Sequence, residues 1–279
     1  MNHFEGYYIK CNNRQTAVAV IFGRAKSKER RHAFLQIITQ DGSYSAEYHY
    51  DDFILIKNPF ILIIGPNKVS FEEMSVKIED VEGNVKFGRF TPIRYDIMGP
   101  FKFFPFMECR HTIISMNHTV TGRFFVNGRD IDFDSGTGYI EGDRGKSFPT
   151  KYFWTQTHYP DISVSCAKIP YLGLRFIGTI CIVHHEGREY RLATYLGARV
   201  REFTKNKLVI EQGKKRLEVD VLTPDDNMQK LLAPMRGSMD RIITESVITT
   251  VRYRFIFRGK TLIDKTSTQA AFEYSEVTD

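Results

Sequence analysis

The sequence predicts an all-β protein with very little helix, built from antiparallel barrels or sandwiches. Short segments with alternating apolar and polar residues follow one another, and Gly, Asn, Asp or Pro separates them. Aromatic residues make up 13% of the chain, with 22 Phe and 14 Tyr, and such rings favour pleated, half-buried surfaces. Helix signals are rare, because a 3.6-residue period with caps occurs over one short stretch, residues 224–232.

Turn signals divide the chain into predicted hairpins. Residues 76–87 alternate on either side of a polar turn. Asn127-Gly128 is the typical two-residue connection of a hairpin and stands between two alternating segments. Arg258-Gly259 follows a long alternating strand over residues 247–257 and turns the chain back on itself. These signals predict strands that pair with their neighbours along the chain.

One short helix and two domains are predicted. Residues 224–232 are typical of a capped helix, which Pro234 ends. Counting candidates gives roughly 16 to 18 strands, more than one small barrel needs. We therefore predict an N-terminal β domain over residues 1–135 and a C-terminal β domain over 136–279, divided where the turn-rich Gly136 follows a completed hairpin. Strands of one half can still pair with the other half across this boundary.

The charge of the chain is modest and scattered. The formal net charge of +6 comes from 39 basic and 33 acidic residues. Only Lys26 to Arg31 forms a basic run, and its place between two predicted strands indicates a solvated hairpin loop. A nucleic-acid-binding protein usually shows a basic face within a recognisable module, so we expect no nucleic-acid partner. A weak attraction to an anionic membrane surface stays open, and the sequence does not indicate an oligomeric state.

We expect a cytoplasmic protein with reduced cysteines. The opening MNHFEGYYIK has no apolar segment of the kind found in signal peptides. The longest apolar run, Phe60 to Ile64, is far too short to span a bilayer. The four cysteines are widely separated, and Cys166 and Cys181 lie in apolar segments, which predicts buried thiols.

Three familiar chemistries find no support in the residues. Gly136-Thr137-Gly138 is followed by a Pro and an aromatic run rather than by the helix that a dinucleotide site needs. His184 and His185 are adjacent, so in a strand they point to opposite faces. His111, His118 and His158 have no recurrent metal-ligand spacing. We therefore predict no metal, and no motif supports Ser-His-Asp hydrolysis.

The stretch from residue 136 to residue 156 is the strongest candidate for a functional site. It sets Glu141 and Asp143 close to the aromatic run Tyr152-Phe153-Trp154, which contains the only Trp of the chain. A carboxyl group held against apolar surface tends to keep its proton, and a protonated carboxyl can attack a carbon–carbon double bond. The alternative is a solvated turn in which Asp143, Arg144 and Lys146 make a weak surface ion pair.

Polar and aromatic side chains alternate on the strand that follows. Tyr152, Trp154 and Gln156 share one face, so a hydrogen-bonding amide lies next to two rings. That combination suits an amphipathic ligand with an apolar body and a hydroxyl end. The alternative is that the rings fill a packed core. Near the N-terminus, Glu5 and Tyr7 also allow two interpretations. Glu5 is either an exposed acid on an ordinary first strand or an acid that points into a pocket beside aromatic residues.

Four blocks of the sequence resemble the tocopherol cyclase family. FEGYYIK over residues 4–10 is similar to the opening strand of that family, and GYIEGDRGKSFPTKYFWTQ over 138–156 is similar to its central block. LLAPMRGSMDRIITESV over 231–247 resembles the third block, and residues 269–273 resemble the closing strand. The blocks span most of the chain in the expected order. In two places the family's usual Trp is replaced, by Tyr7 and by Arg144.

The resemblance implies a fold of two lipocalin-like β-barrels, shared with carotenoid hydratase-like proteins. It also implies a reaction without a cofactor, in which an acid protonates a prenyl double bond and a phenol oxygen captures the tertiary cation to close a ring. The acids that fit this role are Glu141, Asp143 and Glu5. The residues that fit substrate binding are Tyr7, Tyr152 and Trp154 around the cation, and Gln156 or Lys146 beside the phenol.

Three kinds of function are open on this basis. The first is a cyclase or related hydro-lyase acting on a prenylated, amphipathic substrate. The second is a non-catalytic carrier of a lipid or isoprenoid in the same cavity. The third is an interaction module whose aromatic residues fill a core. For the first two, the expected partner is an apolar or amphipathic small molecule.

Overall fold

Two antiparallel sheets account for nearly all the regular structure of the computed structural model, which describes residues 2–104, 107–171 and 174–277. The predicted all-β fold is confirmed. Helical geometry is confined, in the described ranges, to the 3₁₀ turns Tyr50–Asp52, Gly99–Phe103 and Thr194–Leu196. Across the same residues no helix has the length and apolar character needed to cross a bilayer.

The first sheet contains twelve strands in the order β4-β3-β2-β1-β12-β10-β9-β8-β7-β6-β5, and β11 pairs with β10. The strands are β1 (His3–Asn12), β2 (Ala17–Lys26), β3 (Arg31–Thr39), β4 (Ser43–Tyr48), β5 (Phe53–Lys57), β6 (Phe60–Ile64), β7 (Asn67–Ser70), β8 (Glu73–Ile78), β9 (Val81–Phe87), β10 (Cys109–Val126), β11 (Arg129–Asp132) and β12 (Gly136–Gly145).

The first sheet curves until the two ends of its strand order share one core. Leu35 on β3 and Leu62 on β6 belong to the same buried cluster, although their strands lie near opposite edges. Asn67 Nδ2 on β7 donates a hydrogen bond to Tyr48 Oη on β4 at 2.9 Å. In the described part of the chain no ladder joins β4 to β5, so the sheet stays open.

The second sheet contains ten strands in the order β16-β15-β14-β13-β22-β21-β19-β18-β17, and β20 pairs with β21. The strands are β13 (Lys151–Thr157), β14 (Ile162–Tyr171), β15 (Leu174–His185), β16 (Arg188–Ala193), β17 (Arg199–Phe203), β18 (Lys207–Gln212), β19 (Lys215–Val221), β20 (Gln229–Met235), β21 (Ser238–Phe257) and β22 (Lys260–Glu276).

The second sheet encloses its own core in the same way. Cys181 on β15 and Leu208 on β18 share a buried cluster, and the Ala193 N–H on β16 donates to Gln212 Oε1 on β18 at 2.9 Å. The burial predicted for Cys166 and Cys181 is confirmed, and both thiols are free. Burial raises the pKa of each thiol far above its ordinary value, so both stay protonated.

The two sheets repeat one topology that sequence similarity did not reveal. In each, the first strand of the sheet pairs with the last: β1 with β12, and β13 with β22. The following three strands extend the sheet on one side, and the remaining strands extend it on the other. The strands with chemical interest therefore occupy the middle of each sheet, where both of their edges are paired.

The chain divides into two compact units. The first comprises the chain up to Pro92 together with Glu108–Phe148 and Gln229–Ile242, and the second comprises Ile93–Met107, Pro149–Met228 and the chain from Ile243 onward. The domain boundary predicted after residue 135 stays a prediction. In the structure β12, which follows that boundary, lies within the first sheet between β1 and β10.

Local turn signals were reliable, and the one predicted helix was wrong. The hairpins at Asn127-Gly128 and Arg258-Gly259 form as predicted, with positive φ at all four residues. Residues 224–232 contain no helix: turns precede strand β20. Contacts with a distant part of the chain favour the extended conformation here over a helix. Gln36 Nε2 donates to the Leu232 carbonyl at 2.9 Å, and Gln36 Oε1 accepts from the Leu232 N–H at 2.8 Å.

The basic run is the solvated hairpin loop that its position predicted. It joins β2 to β3, and its charges are partly compensated. Arg30 pairs with Glu47, and Arg31 Nη2 lies 3.8 Å from Asp51 Oδ2. Exposed pairs of this kind contribute little to stability.

Candidate functional site

Strand β12 presents the two central acids on one face. Glu141 and Asp143 alternate with Ile140, which belongs to the core of the first unit, so both acids point away from that core. Glu141 is opposite Tyr8 on β1 and Ile113 on β10, and Asp143 is opposite His111 on β10. Pairing on both edges fixes the backbone of this strand, and thereby the direction of both carboxyl groups.

A buried imidazole joins these two acids. His111 Nδ1 lies 3.1 Å from Asp143 Oδ1, and His111 Nε2 lies 3.4 Å from Glu141 Oε2, an ion-pair distance. His111 and Glu141 are buried, and Asp143 is half-buried. The imidazole bridges two carboxyl groups, an arrangement that suits holding a proton and passing it on.

Two further side chains extend this group. Tyr139 Oη donates to Glu141 Oε2 at 2.5 Å, and Cys109 Sγ donates to Asp143 Oδ1 at 3.3 Å. Burial, together with the nearby Asp143, raises the pKa of the Cys109 thiol well above its usual range, so the thiol stays a donor. We call the five residues Cys109, His111, Tyr139, Glu141 and Asp143 the acid relay.

The contacts of the acid relay suit proton transfer, and three of its residues could also bind a metal ion. Ligand atoms of His111, Glu141 and Asp143 lie within 4.8 Å of one another, so this trio has the composition of a metal site. Metal ligands converge on a single point. The two carboxylates here approach different nitrogens of one ring. The sequence prediction of no metal stays a prediction.

Glu5 and Tyr7 lie on the core-facing side of β1, away from the acid relay. Glu5 Oε2 accepts a hydrogen bond from Arg24 Nη2 at 2.8 Å, and Tyr7 Oη lies 3.4 Å from Glu5 Oε1. Burial and the neighbouring Glu5 raise the pKa of Tyr7 to about 12, so its phenol stays neutral.

Lys146 differs from the acids of the relay in its exposure to solvent. It follows the end of β12, and its side chain is exposed. Its backbone N–H donates to the Glu108 carbonyl at 2.7 Å. The structure thus gives it a different surrounding from that of Glu141 and Asp143.

In the second unit, β13 carries a second polar face. Tyr152, Trp154 and Gln156 lie opposite in direction to Phe153, which is part of the core. Tyr152 Oη donates to Glu273 on β22, and Glu273 is also the cross-strand neighbour of Trp154. The three side chains are buried.

Gln156 retains hydrogen-bonding capacity. Its Nε2 lies 3.3 Å from His158 Nε2. Its Oε1 is buried and, among the described residues, has no hydrogen-bond partner. Whichever way the amide is oriented, one of its two polar atoms is left unsatisfied, which costs about 1–3 kcal/mol. Such a group is suited to accept a ligand hydroxyl.

Five residues of these two polar groups were missed by the sequence analysis. They are Cys109, His111, Tyr139, Glu245 and Glu273. Glu245 on β21 is directly opposite Glu273, and both are buried. A sequence signal did exist for Tyr139, which precedes Glu141 by two, and for Glu245, which stands among apolar residues in IITESVI. His111 joins the acid relay through a strand pairing that no local signal predicts.

The family model described as tocopherol cyclase-like matches residues 71–275. The chain belongs to the tocopherol cyclase-like family. A probable tocopherol cyclase, chloroplastic, of Oryza sativa subsp. japonica is 23% identical over 188 residues, which are 61% of this chain and 40% of the rice protein. The chain therefore spans well under half of that relative.

Solved structures show the same fold at low identity. Kievitone hydratase from Nectria haematococca has a TM-score of 0.53 and 11% identity, and the match covers 99% of this chain and 89% of the hydratase. The protein CghA, solved with Sch210972, has a TM-score of 0.60 and 8% identity over 99% of this chain and 89% of CghA. The lipocalin-like all-β fold expected from the family resemblance is confirmed.

Proposed function

We propose that this tocopherol cyclase-like protein is a cofactor-independent enzyme that protonates a carbon–carbon double bond of a prenylated, amphipathic substrate. Ring closure or addition of water then completes the reaction. Support comes from the family, from the names of the rice cyclase and the fungal hydratase, and from the chemistry that these two names share. The cytoplasm is the proposed location.

The observation that carries the proposal is the acid relay. Its imidazole lies between Glu141 and Asp143, in a buried setting where a proton can be held and transferred. In a cyclisation, the relay loses a proton to the alkene carbon. The phenol oxygen then bonds to the cation and returns its own proton, so the relay is restored and the substrate is isomerised.

The buried face of β13 supplies features that suit an amphipathic ligand. Trp154 and Tyr152 offer aromatic faces that can stabilise a cation. Gln156 Oε1 offers an acceptor for a hydroxyl group. These roles make Tyr152, Trp154 and Gln156 the proposed substrate-binding residues, with Tyr7 and Lys146 as predictions from the sequence alone.

The experiment that tests the acids uses a prenylated hydroquinone and mass spectrometry of its products. Ring closure leaves the mass unchanged but alters retention, and hydration adds one water. We expect Glu141→Gln and Asp143→Asn to lower turnover by about 100-fold or more, because general acid catalysis contributes that much. Ligand binding should persist in both variants.

Controls separate the remaining alternatives. Glu82→Gln changes an exposed acid on β9 and should leave turnover unchanged. Glu5→Gln tests the third predicted acid, which is ion-paired with Arg24. Full turnover in both relay variants would remove the relay from the mechanism. Tight binding by the wild-type protein without conversion of the ligand would identify a carrier instead.

A second experiment tests hydroxyl recognition at Gln156. Trp154 is the only Trp and a neighbour on the same strand face, so its fluorescence reports ligand binding. We expect the wild-type protein to bind the phenol about tenfold more tightly than its methyl ether, which corresponds to roughly 1.4 kcal/mol. Gln156→Leu should abolish this preference. A preference that survives the substitution would place the hydroxyl elsewhere.

A further inference from the structure

Residues 93–104, between β9 and β10, belong to the second unit and form no strand, and Arg191 anchors them there. Arg191 on β16 is buried; its Nη2 donates to the Tyr95 carbonyl at 2.8 Å and its Nη1 to the Asp96 carbonyl at 3.1 Å. Its guanidinium carbon lies 3.7 Å from the centroid of the Tyr95 ring. Tyr195 Oη adds a bond to the Ile97 carbonyl at 2.9 Å. The segment is therefore held in place rather than loosely attached.

This anchored segment displays large apolar side chains to solvent. Phe103 is 76% exposed and Phe104 is 41% exposed, at the end of the 3₁₀ turn. Phe101 packs against both Phe104 and Tyr195, with centroid distances of 5.9 and 5.7 Å. Leu196, next to Tyr195, is 43% exposed. We call Phe103, Phe104 and Leu196 the aromatic patch.

Exposed charged side chains close in sequence to the aromatic patch include three basic residues. Lys102 is exposed, and its Nζ lies 5.0 Å from the centroid of the Phe103 ring. Arg94 in the same segment and Arg199 just after Leu196 are also exposed. The two acids between β9 and β10, Asp96 and Glu108, are half-buried, and Asp96 Oδ1 accepts a hydrogen bond from the Met98 N–H.

We propose that the aromatic patch docks the protein on an anionic lipid bilayer. Aromatic rings next to basic side chains bind the boundary between headgroups and acyl chains, where rings are buried and cations meet anionic lipid. The charge of the patch complements such a surface, as does the net charge of +6. A prenylated substrate would partition into the same bilayer, but docking requires no substrate and is independent of the proposed reaction.

The structure favours this patch over the basic run in the loop between β2 and β3. In that loop Arg30 and Arg31 face Glu47 and Asp51, so part of their charge is already compensated. The loop also lacks exposed aromatic residues. Lipid binding needs apolar insertion together with charge, and the aromatic patch provides both.

Co-sedimentation with vesicles tests the proposal. We expect the wild-type protein to sediment with vesicles of phosphatidylcholine and phosphatidylserine, less with pure phosphatidylcholine, and less at high salt. Replacing both rings, Phe103→Glu with Phe104→Glu, should lower the partition coefficient about tenfold or more. Lys102→Glu should lower the preference for phosphatidylserine. Phe103 and Lys102 are exposed, so Phe103→Glu alone and Lys102→Glu should leave the thermal midpoint unchanged.

The matched control is Phe125→Glu, which places the same charge at a half-exposed ring on β10 in the first unit. It should leave vesicle binding unchanged. No binding by the wild-type protein, or an equal loss in the control, would overturn the proposal. The proposal would also be overturned if light scattering showed that the wild-type protein is a dimer and that the double variant is monomeric but still binds vesicles. A second copy of the chain would then be the occupant of the patch.

Discussion

At the scale of single residues, His111 determines what the acid relay can do. Its two nitrogens face separate carboxylates, an arrangement that suits a proton relay. A ligand that binds only the folded state raises the thermal midpoint. We therefore expect neither Zn²⁺ nor a chelator to shift the midpoint of the purified protein. A stabilising shift that His111→Gln abolishes would contradict this expectation and indicate a metal site.

A second residue-scale prediction concerns His32, which is buried on β3. Burial is the largest cause that lowers its pKa below the ordinary value of 6.5. The unfolded ring thus binds a proton more readily than the folded ring, and stability decreases as the pH falls below 6.5. His32→Phe, beside Phe34, should flatten the decrease in thermal midpoint between neutral and mildly acidic pH. His49→Phe replaces a ring whose side chain is 67% exposed, and this variant should retain the decrease in thermal midpoint.

At the scale of elements, Gln36 holds strand β20 where local sequence preference indicated a helix. Its side-chain amide makes two hydrogen bonds with the backbone of Leu232. Gln36→Ala leaves both backbone groups without that partner, so we expect the free energy of unfolding to decrease by about 1–3 kcal/mol. Gln212→Ala removes one comparable bond, to the Ala193 N–H, and should cost less. Urea denaturation measures both. Equal stability of Gln36→Ala and wild type would show that other contacts fix β20.

The difference between local and long-range contacts explains how much of the fold and of the candidate site the sequence predicts. Hairpins depend on neighbours along the chain, so the turn at Asn127-Gly128 could be predicted from two residues. The shared face of Tyr152, Trp154 and Gln156 follows from strand period alone. His111 could not be predicted, because it reaches Glu141 and Asp143 through the pairing of β10 with β12. Gln36 and Leu232 are 196 residues apart, beyond any local pattern.

At the scale of the whole molecule, the division into units is discontinuous in sequence. Strand β12 lies between β1 and β10, and residues Gln229–Ile242 belong to the same unit. A fragment of residues 1–135 contains neither segment. We expect it to lack cooperative thermal unfolding by circular dichroism, because two central strands would lose a paired edge. Cooperative unfolding of this fragment would support the domain boundary predicted after residue 135.

The pairing of first and last strands in each sheet also governs how the protein is made. A side-chain hydrogen bond between Thr137 and Asn12 spans 125 residues, and one between Tyr152 and Glu273 spans 121. During translation, β1 and later β13 leave the ribosome long before their partners are synthesised. Each nascent strand then exposes an unpaired edge that can bind other chains. Slow folding and reliance on chaperones are the expected cost of placing the functional strands at the centre of each sheet.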